Sequence, residues 1–137
     1  MNYKGLFGST STHWATPKDL LKTLDAEFHF NDDPCPLHGS GGLSREWGTS
    51  TYCNPPYGRE ITKWLEKAYS EAQKGKTVVC LIPSRTDTKW WHNIVMKATE
   101  IRFLKGRLKF GEAKSTAPFP SAIAVFRGTT GAIPMRG

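Results

Sequence analysis

Long apolar runs are missing from this chain of 137 residues. None approaches the ~20 residues needed to cross a bilayer. The opening stretch "MNYKGLFGSTST" lacks the charged, apolar and small-residue regions of a secretory leader, so a cytoplasmic protein is expected. Cysteine is scarce: three residues, an odd number. Cys53 and Cys80 sit at the ends of predicted buried strands, which argues for core thiols over a disulfide scaffold. "CPLH" (Cys35, His38) has half a zinc-site spacing without a second pair, and no metal is expected. Acid is in deficit: 12 Asp and Glu face 19 Lys and Arg, a net charge of +7. That field attracts a polyanion, with nucleic acid the first candidate and a merely soluble basic surface the alternative.

What is present suffices for one domain. An apolar content of 38% with 12% aromatics supports a real core. Residues 1–12 read as a mobile arm, 13–127 as the folded domain and 128–137 as a frayed tail. In "HWATPKDLLKTLDAEF", Thr16 has the position of a helix N-cap, Pro17 of the first helical residue and Asp19 of the capping-box acid. Leu20, Leu21, Leu24 and Phe28 then share one face of a helix over 17–27. "FHFND" follows as a strand, and "PCPLHGSGGLSREWG" reads as loop.

The strand "TYC" must stop at Asn54, because Pro55 and Pro56 remove two donors and fix two φ angles. Ile61, Trp64, Leu65, Ala68, Tyr69 and Ala72 form a helical stripe bounded by Gly75. "TVVCLIP" has the continuous apolar character of a buried parallel strand. A helix capped by Asp87 or Thr88 turns Trp91, Ile94, Val95 and Ala98 inward, and "EIRFL" and "SAIAVF" supply two more strands. The order predicts an α/β layer fold with a mainly parallel sheet.

Ligands of open α/β sheets bind beyond the carboxyl ends of the strands. Three such ends carry unusual residues here: Asp32-Asp33, Asn54-Pro55-Pro56-Tyr57, and Pro83-Ser84-Arg85. Paired acids suit ribose hydroxyls or an ammonium group, with a helix-capping or solvated turn as the alternative.

Asn-Pro-Pro-Tyr after a strand resembles the motif of amino-group methyltransferases that use S-adenosylmethionine. "HWATPKDLL", "NPPYGREITKWLEKA", "LIPSRTDTKWWH", "IRFLKGRLKFG" and "APFPSAIAVF", in this order, are similar to the phage-type Dam family of DNA adenine-N6 methyltransferases over residues 13–127. The resemblance implies a reduced class I, Rossmann-like sheet and methylation of adenine N6 in DNA by a phage- or prophage-encoded enzyme. It implies that the Asn54 side-chain oxygen and the Pro55 carbonyl accept the two amine hydrogens, that Pro56 stiffens the motif, and that a flipped base stacks on Tyr57. It assigns Trp14, Thr16, Pro17, Asp32, Asp33 and Asn54 to the cofactor.

Two departures from the wider class stand out. The usual Phe-x-Gly-x-Gly cofactor turn is replaced by "DDPCPLHGSGG", and only 20 residues separate Asp33 from Asn54, where two further strands are usual. Shelter for the cofactor's adenosine is then expected from the 34–50 loop with Trp47, from the N-terminal arm or from another subunit, so a homo-oligomer stays open. Arg85, Lys89, Lys105, Arg107 and Lys109 flank the proposed pocket and are candidates for DNA phosphate contacts, or else a solvated charge run. Trp64 and Trp91 belong to the core, Trp90 is freer, and His13 and His92 are surface or packing residues. Methylation of protein glutamine or of an RNA base, and a degenerate DNA-binding domain, remain the competing functions.

Overall fold

The computed structural model describes residues 15–36, 41–111 and 116–128. The arm expected at 1–12 and all but the first residue of the expected 128–137 tail lie outside them. In chain order the elements are α1 (Lys18–Phe28), β1 (Ser50–Cys53), α2 (Ile61–Ala72), β2 (Thr77–Pro83), α3 (Lys89–Asn93), β3 (Glu100–Phe103) and β4 (Ser121–Arg127). Short 3-10 turns lie at Gly42–Ser44 and Val95–Lys97. No helix among the described residues is long and apolar enough to cross a membrane.

The strands form one sheet in the order β1-β2-β4-β3. β1 and β2 are parallel, with Cys53 beside Cys80, whereas β4 is antiparallel to both β2 and β3. This corrects the expectation of mainly parallel pairing. Parallel neighbours need a crossover connection, and the described parts of the link from β3 to β4 contain no helix. The chain instead reverses and inserts β4 between β2 and β3. By direction, then, β1, β2 and β3 run one way and β4 alone runs the other.

β2 is central, and Val78, Val79, Cys80, Leu81 and Ile82 are completely buried. A strand buried on both faces has no use for polar alternation, which explains the unbroken apolar run. Each larger side chain there contributes about 2 kcal/mol relative to exposure. α2 lies against β2 and β4, and its Tyr69 ring stands edge-on to Phe126 at 6.3 Å.

The segment before the first loop departs from expectation twice. α1 starts at Lys18 with Pro17 as N-cap and makes no side-chain capping bond, so neither Thr16 nor Asp19 closes a capping box. "FHFND" is not a strand but a single parallel bridge between Asp32 and Thr51. His29 ends the helix in the left-handed region (φ 52°), which delays extension of the chain, and Pro34 soon follows. Asn31 N donates to Ser50 O (2.8 Å) and Tyr52 N to Asp32 O (3.0 Å), so this short stretch covers the outer edge of β1.

The following loop is fastened by a buried carboxylate. Glu71 accepts from Lys76 Nζ at 2.6 Å and from Trp47 N at 3.1 Å, and pairs with Lys67 and Lys74 at 3.0 Å each. Burial pushes the Glu71 pKa up, but Lys76, the Trp47 amide and the other two lysines outweigh it and hold it well below the usual range. Lys76 also donates to Trp47 O at 2.6 Å.

Candidate active site

The end of β1 is held by side chains from three parts of the chain. Asn54 is only 3% exposed, and its Nδ2 donates to Thr16 Oγ1 at 3.0 Å. The same Thr16 oxygen is 2.7 Å from the Tyr52 hydroxyl. On the other side, the Tyr57 hydroxyl lies 3.3 Å from both Asn54 Oδ1 and Leu81 O. Neither Pro55 nor Pro56 can donate to a ladder, so the chain leaves the sheet at Asn54 while the Asn54 side chain stays pinned.

Tyr57 is buried, with its ring nearly perpendicular to Phe119 (5.5 Å, 75°) and Phe110 (6.3 Å, 83°). Burial, with the neighbouring Cys53 and Cys80 thiols, pushes its hydroxyl pKa far up, so it remains a donor. Pro56, Tyr57, Arg59 and Glu60 line a cavity of about 360 Å³ beside this strand end.

The two acids have separate fates. Asp32 receives Arg45 in a two-pronged pair (2.8 and 2.9 Å) and the Gly48 amide at 2.8 Å. Burial alone would raise its pKa, but Arg45 and the Gly48 amide bring it below its ordinary value. A Cβ at Gly48 would meet Asn31 Oδ1 and Asp32 Cβ, so a larger residue would have to push the Asn31 side chain off its bond with Ser50 N. Asp32 thus fastens the loop.

Asp33, level with Tyr52 by the register of the Asp32–Thr51 bridge, keeps a buried Oδ1 with no hydrogen-bond partner. Burial pushes its pKa up to about 6, with the Asp32 charge adding and the Cys35 amide opposing. Burial, with the Asp33 charge and then Glu60 adding to it, also pushes the Cys35 thiol up to about 12. A buried carboxylate oxygen without a donor fits an incoming ammonium or hydroxyl group.

Trp47 does not offer shelter to a ligand. It is 3% exposed, its Nε1 donates to Gly42 O at 2.7 Å, and its ring stacks on Trp64 at 6.3 Å. The loop tryptophan is therefore core, because the Glu71 cluster draws its backbone inward. Trp14 lies outside the described residues, as does His13. Pro17 is half-buried at the start of α1. Trp64 and Trp91 are buried as expected, Trp90 is half-buried, and His92 is exposed with Nε2 on Thr86 O at 2.7 Å.

Arg85, Lys89, Lys105, Arg107 and Lys109 are all exposed. The Arg85 guanidinium lies 5.8 Å from the Phe119 ring centre, and Phe119 touches Tyr57. The "KGRLKFG" segment is tied to residue 117 by Ala117 N donating to Leu108 O (2.7 Å) and to Ala15 by Gly111 N (2.9 Å). Its Phe110 reaches Tyr57, so Lys105, Arg107 and Lys109 ride on a segment anchored at the site. Lys89 instead lines a groove of about 500 Å³ between α2 and α3 with Glu66, Trp90 and Lys97. Phe110 and Phe119, the two rings packed on Tyr57, were not legible as such in the sequence. Their signal was weak, two phenylalanines in loop-like stretches without periodicity.

An α/β domain with a pinned asparagine at the end of β1 and, beside that strand, a buried carboxylate oxygen without a partner has the makings of a binding site for a polar ligand. The family model for DNA N-6-adenine-methyltransferase (Dam) matches residues 7–125, and the chain belongs to that family. No match was found among curated proteins or among solved structures.

Proposed function

We propose that this chain transfers a methyl group from S-adenosylmethionine to the N6 amine of an adenine in DNA, with the base turned out of the duplex into the cavity beside Tyr57. The observation that carries the reading is the fixing of Asn54 from both sides, by Thr16 and by Tyr57. The sheet supports it as a reduced Rossmann-like frame, since β1 and β2 are parallel and the site lies beyond their carboxyl ends.

When bound, S-adenosylmethionine supplies a methyl group on a cationic sulfur that departs as a neutral thioether. The chain's own task is orientation, because an amine conjugated to a purine is a poor nucleophile. Asn54 Oδ1 has two lone pairs, so it accepts an amine hydrogen beside the Tyr57 hydroxyl, and the Pro55 carbonyl accepts the other. Thr16 prevents Asn54 from turning its amide nitrogen toward the amine. Asp33 receives the cofactor's donor group, consistent with its unpartnered oxygen. Fixed acceptors need no rearrangement during the reaction, and proximity of this kind contributes several of the ~7–11 kcal/mol available from orientation.

The test is incubation of the purified protein with duplex DNA and methyl-labelled cofactor, then digestion to nucleosides. Label in N6-methyldeoxyadenosine is expected. Label in methylcytosine, in protein glutamine or nowhere overturns the reading.

A further inference from the structure

We propose that Arg59 grips a phosphate immediately flanking the target adenine on the strand that carries it. The inference rests on the DNA-adenine reading for the identity of the anion. Arg59 has none of the roles assigned above.

Six arginines fall among the described residues, and they divide cleanly. Arg45 is paired with Asp32, Arg102 with Glu27 and Glu100, and Arg127 with Glu100. Arg59, Arg85 and Arg107 have no carboxylate partner among the described residues, and each belongs to a segment that meets the Tyr57 end of the sheet. A protein that neutralises its arginines elsewhere and leaves three exposed around one site keeps them for an anion.

Arg59 is the one of the three that lines the same cavity as Tyr57. The local chain holds it there. Gly58 has φ 108°, a conformation costly for any residue with a Cβ, and Ile61 N donates back to Gly58 O at 3.3 Å. Arg59 thus occupies a tight turn between the rigid Asn-Pro-Pro-Tyr segment and α2. A base entering the cavity brings its own flanking phosphates to the rim, within reach of a guanidinium on the wall. The planar fork of arginine binds phosphate oxygens in pairs, which a lysine ammonium does not.

The experiment uses a 20-base-pair duplex with one adenine opposite an abasic site, so that the base leaves the stack at low cost. Methylphosphonate replaces one phosphate at a time, and binding is read by fluorescence anisotropy. For the unaltered protein, one substitution within a nucleotide of the adenine should weaken binding about tenfold. Arg59→Ala should bind the unmodified duplex about tenfold more weakly, and that single methylphosphonate should then cost it nothing further. Arg59→Lys should recover part of the loss, with the melting temperature of both variants unchanged.

Equal sensitivity to every phosphate in both proteins overturns the proposal, as does coupling of Arg59 only to remote phosphates or to none. Methyl transfer by the unaltered protein is measured alongside. Transfer without Arg59 coupling removes this inference and leaves the function intact; coupling without transfer does the reverse.

Discussion

Thr16 and Asn54, 38 residues apart in the chain, share a buried 3.0 Å hydrogen bond in which the asparagine amide donates to the threonine hydroxyl. The bond fixes the amide with Nδ2 on Thr16 and Oδ1 toward the Tyr57 hydroxyl. Thr16→Val keeps the shape but leaves both Asn54 Nδ2 and the Tyr52 hydroxyl without this partner, at a cost of about 1–3 kcal/mol. Methyl transfer should fall ~10-fold or more and recover in Thr16→Ser. Asn54→Ala should lose ~100-fold or more while cofactor affinity, read by calorimetry, is largely kept. Transfer within a few-fold of normal in Asn54→Ala would remove the asparagine from the mechanism.

Asp33 sets a pH dependence with a definite sign. Its pKa rises from 3.8 to about 6 on folding, so between these values the folded chain holds more proton than the unfolded one. Stability should therefore decline as pH rises across that window and level off above it, by up to about 3 kcal/mol. Asp33→Asn should match the unaltered protein near pH 4, exceed it in melting temperature at pH 7.5, and bind S-adenosylmethionine more weakly. For the unaltered protein, cofactor affinity should fall below about pH 6 as the carboxylate is protonated. A stability gap independent of pH would show that Asp33 is not the titrating group.

The Tyr57 ring and hydroxyl can be separated. Tyr57→Phe keeps the contacts with Phe110 and Phe119 but loses the bond to Asn54 Oδ1, so transfer should fall several-fold. Tyr57→Ala should be far worse on paired DNA, because base stacking is worth ~1–3 kcal/mol. Its deficit should shrink on a mismatched adenine, where less unstacking is required. Equal deficits on paired and mismatched adenine would exclude a role in extrusion.

Arg85→Ala and Arg107→Ala should each weaken binding to all DNA sequences alike and lower the salt slope by about 1, as phosphate contacts do. Salt titrations of binding to two unrelated duplexes check this. An unchanged slope would return these arginines to the solvated surface.

Glu71→Gln should destabilise the protein by about 3 kcal/mol in urea, because Lys76 then keeps only the exposed Glu46, at 3.1 Å, as counter-charge to its buried ammonium. Glu71→Gln combined with Lys76→Met should restore part of that loss. Since the Glu71 pKa is lowered on folding, its stabilisation is present above pH 4.5 and disappears as pH falls toward the folded value. Additive single and double effects would mean that the pair is not coupled.

Elements with strong local patterns were legible in the sequence. The apolar run of β2 and the stripe of α2 stand where the residues place them, and of the two cap candidates Thr88 accepts from Trp91 N, but α3 ends at Asn93, so Ile94 and Val95 are buried just beyond the helix. What escaped were choices made by distant partners. Thr16 looks like a helix cap because only its neighbours are visible in sequence, yet its hydroxyl is claimed by Tyr52 and Asn54. Asp32 and Asp33 are indistinguishable until Arg45 takes one of them. Trp47 in a glycine-rich loop reads as available until the carboxylate of Glu71 pulls the loop onto the core. Pairing direction was equally hidden, because nothing local to "SAIAVF" says which strands it will join.

The reversed position of β4 governs the order in which the sheet can assemble during synthesis. β2 and β3 share no ladder and are joined only through β4, which is made after both. Until residues 121–127 leave the ribosome, the apolar β2 has one bare edge and β3 has no strand to pair with. Closing the sheet then requires contacts across long sequence separations, which slows folding and exposes an unpaired apolar edge to other chains. Among the described residues, β4 is thus the strand that covers the apolar edge of β2 as well as the one that completes the sheet.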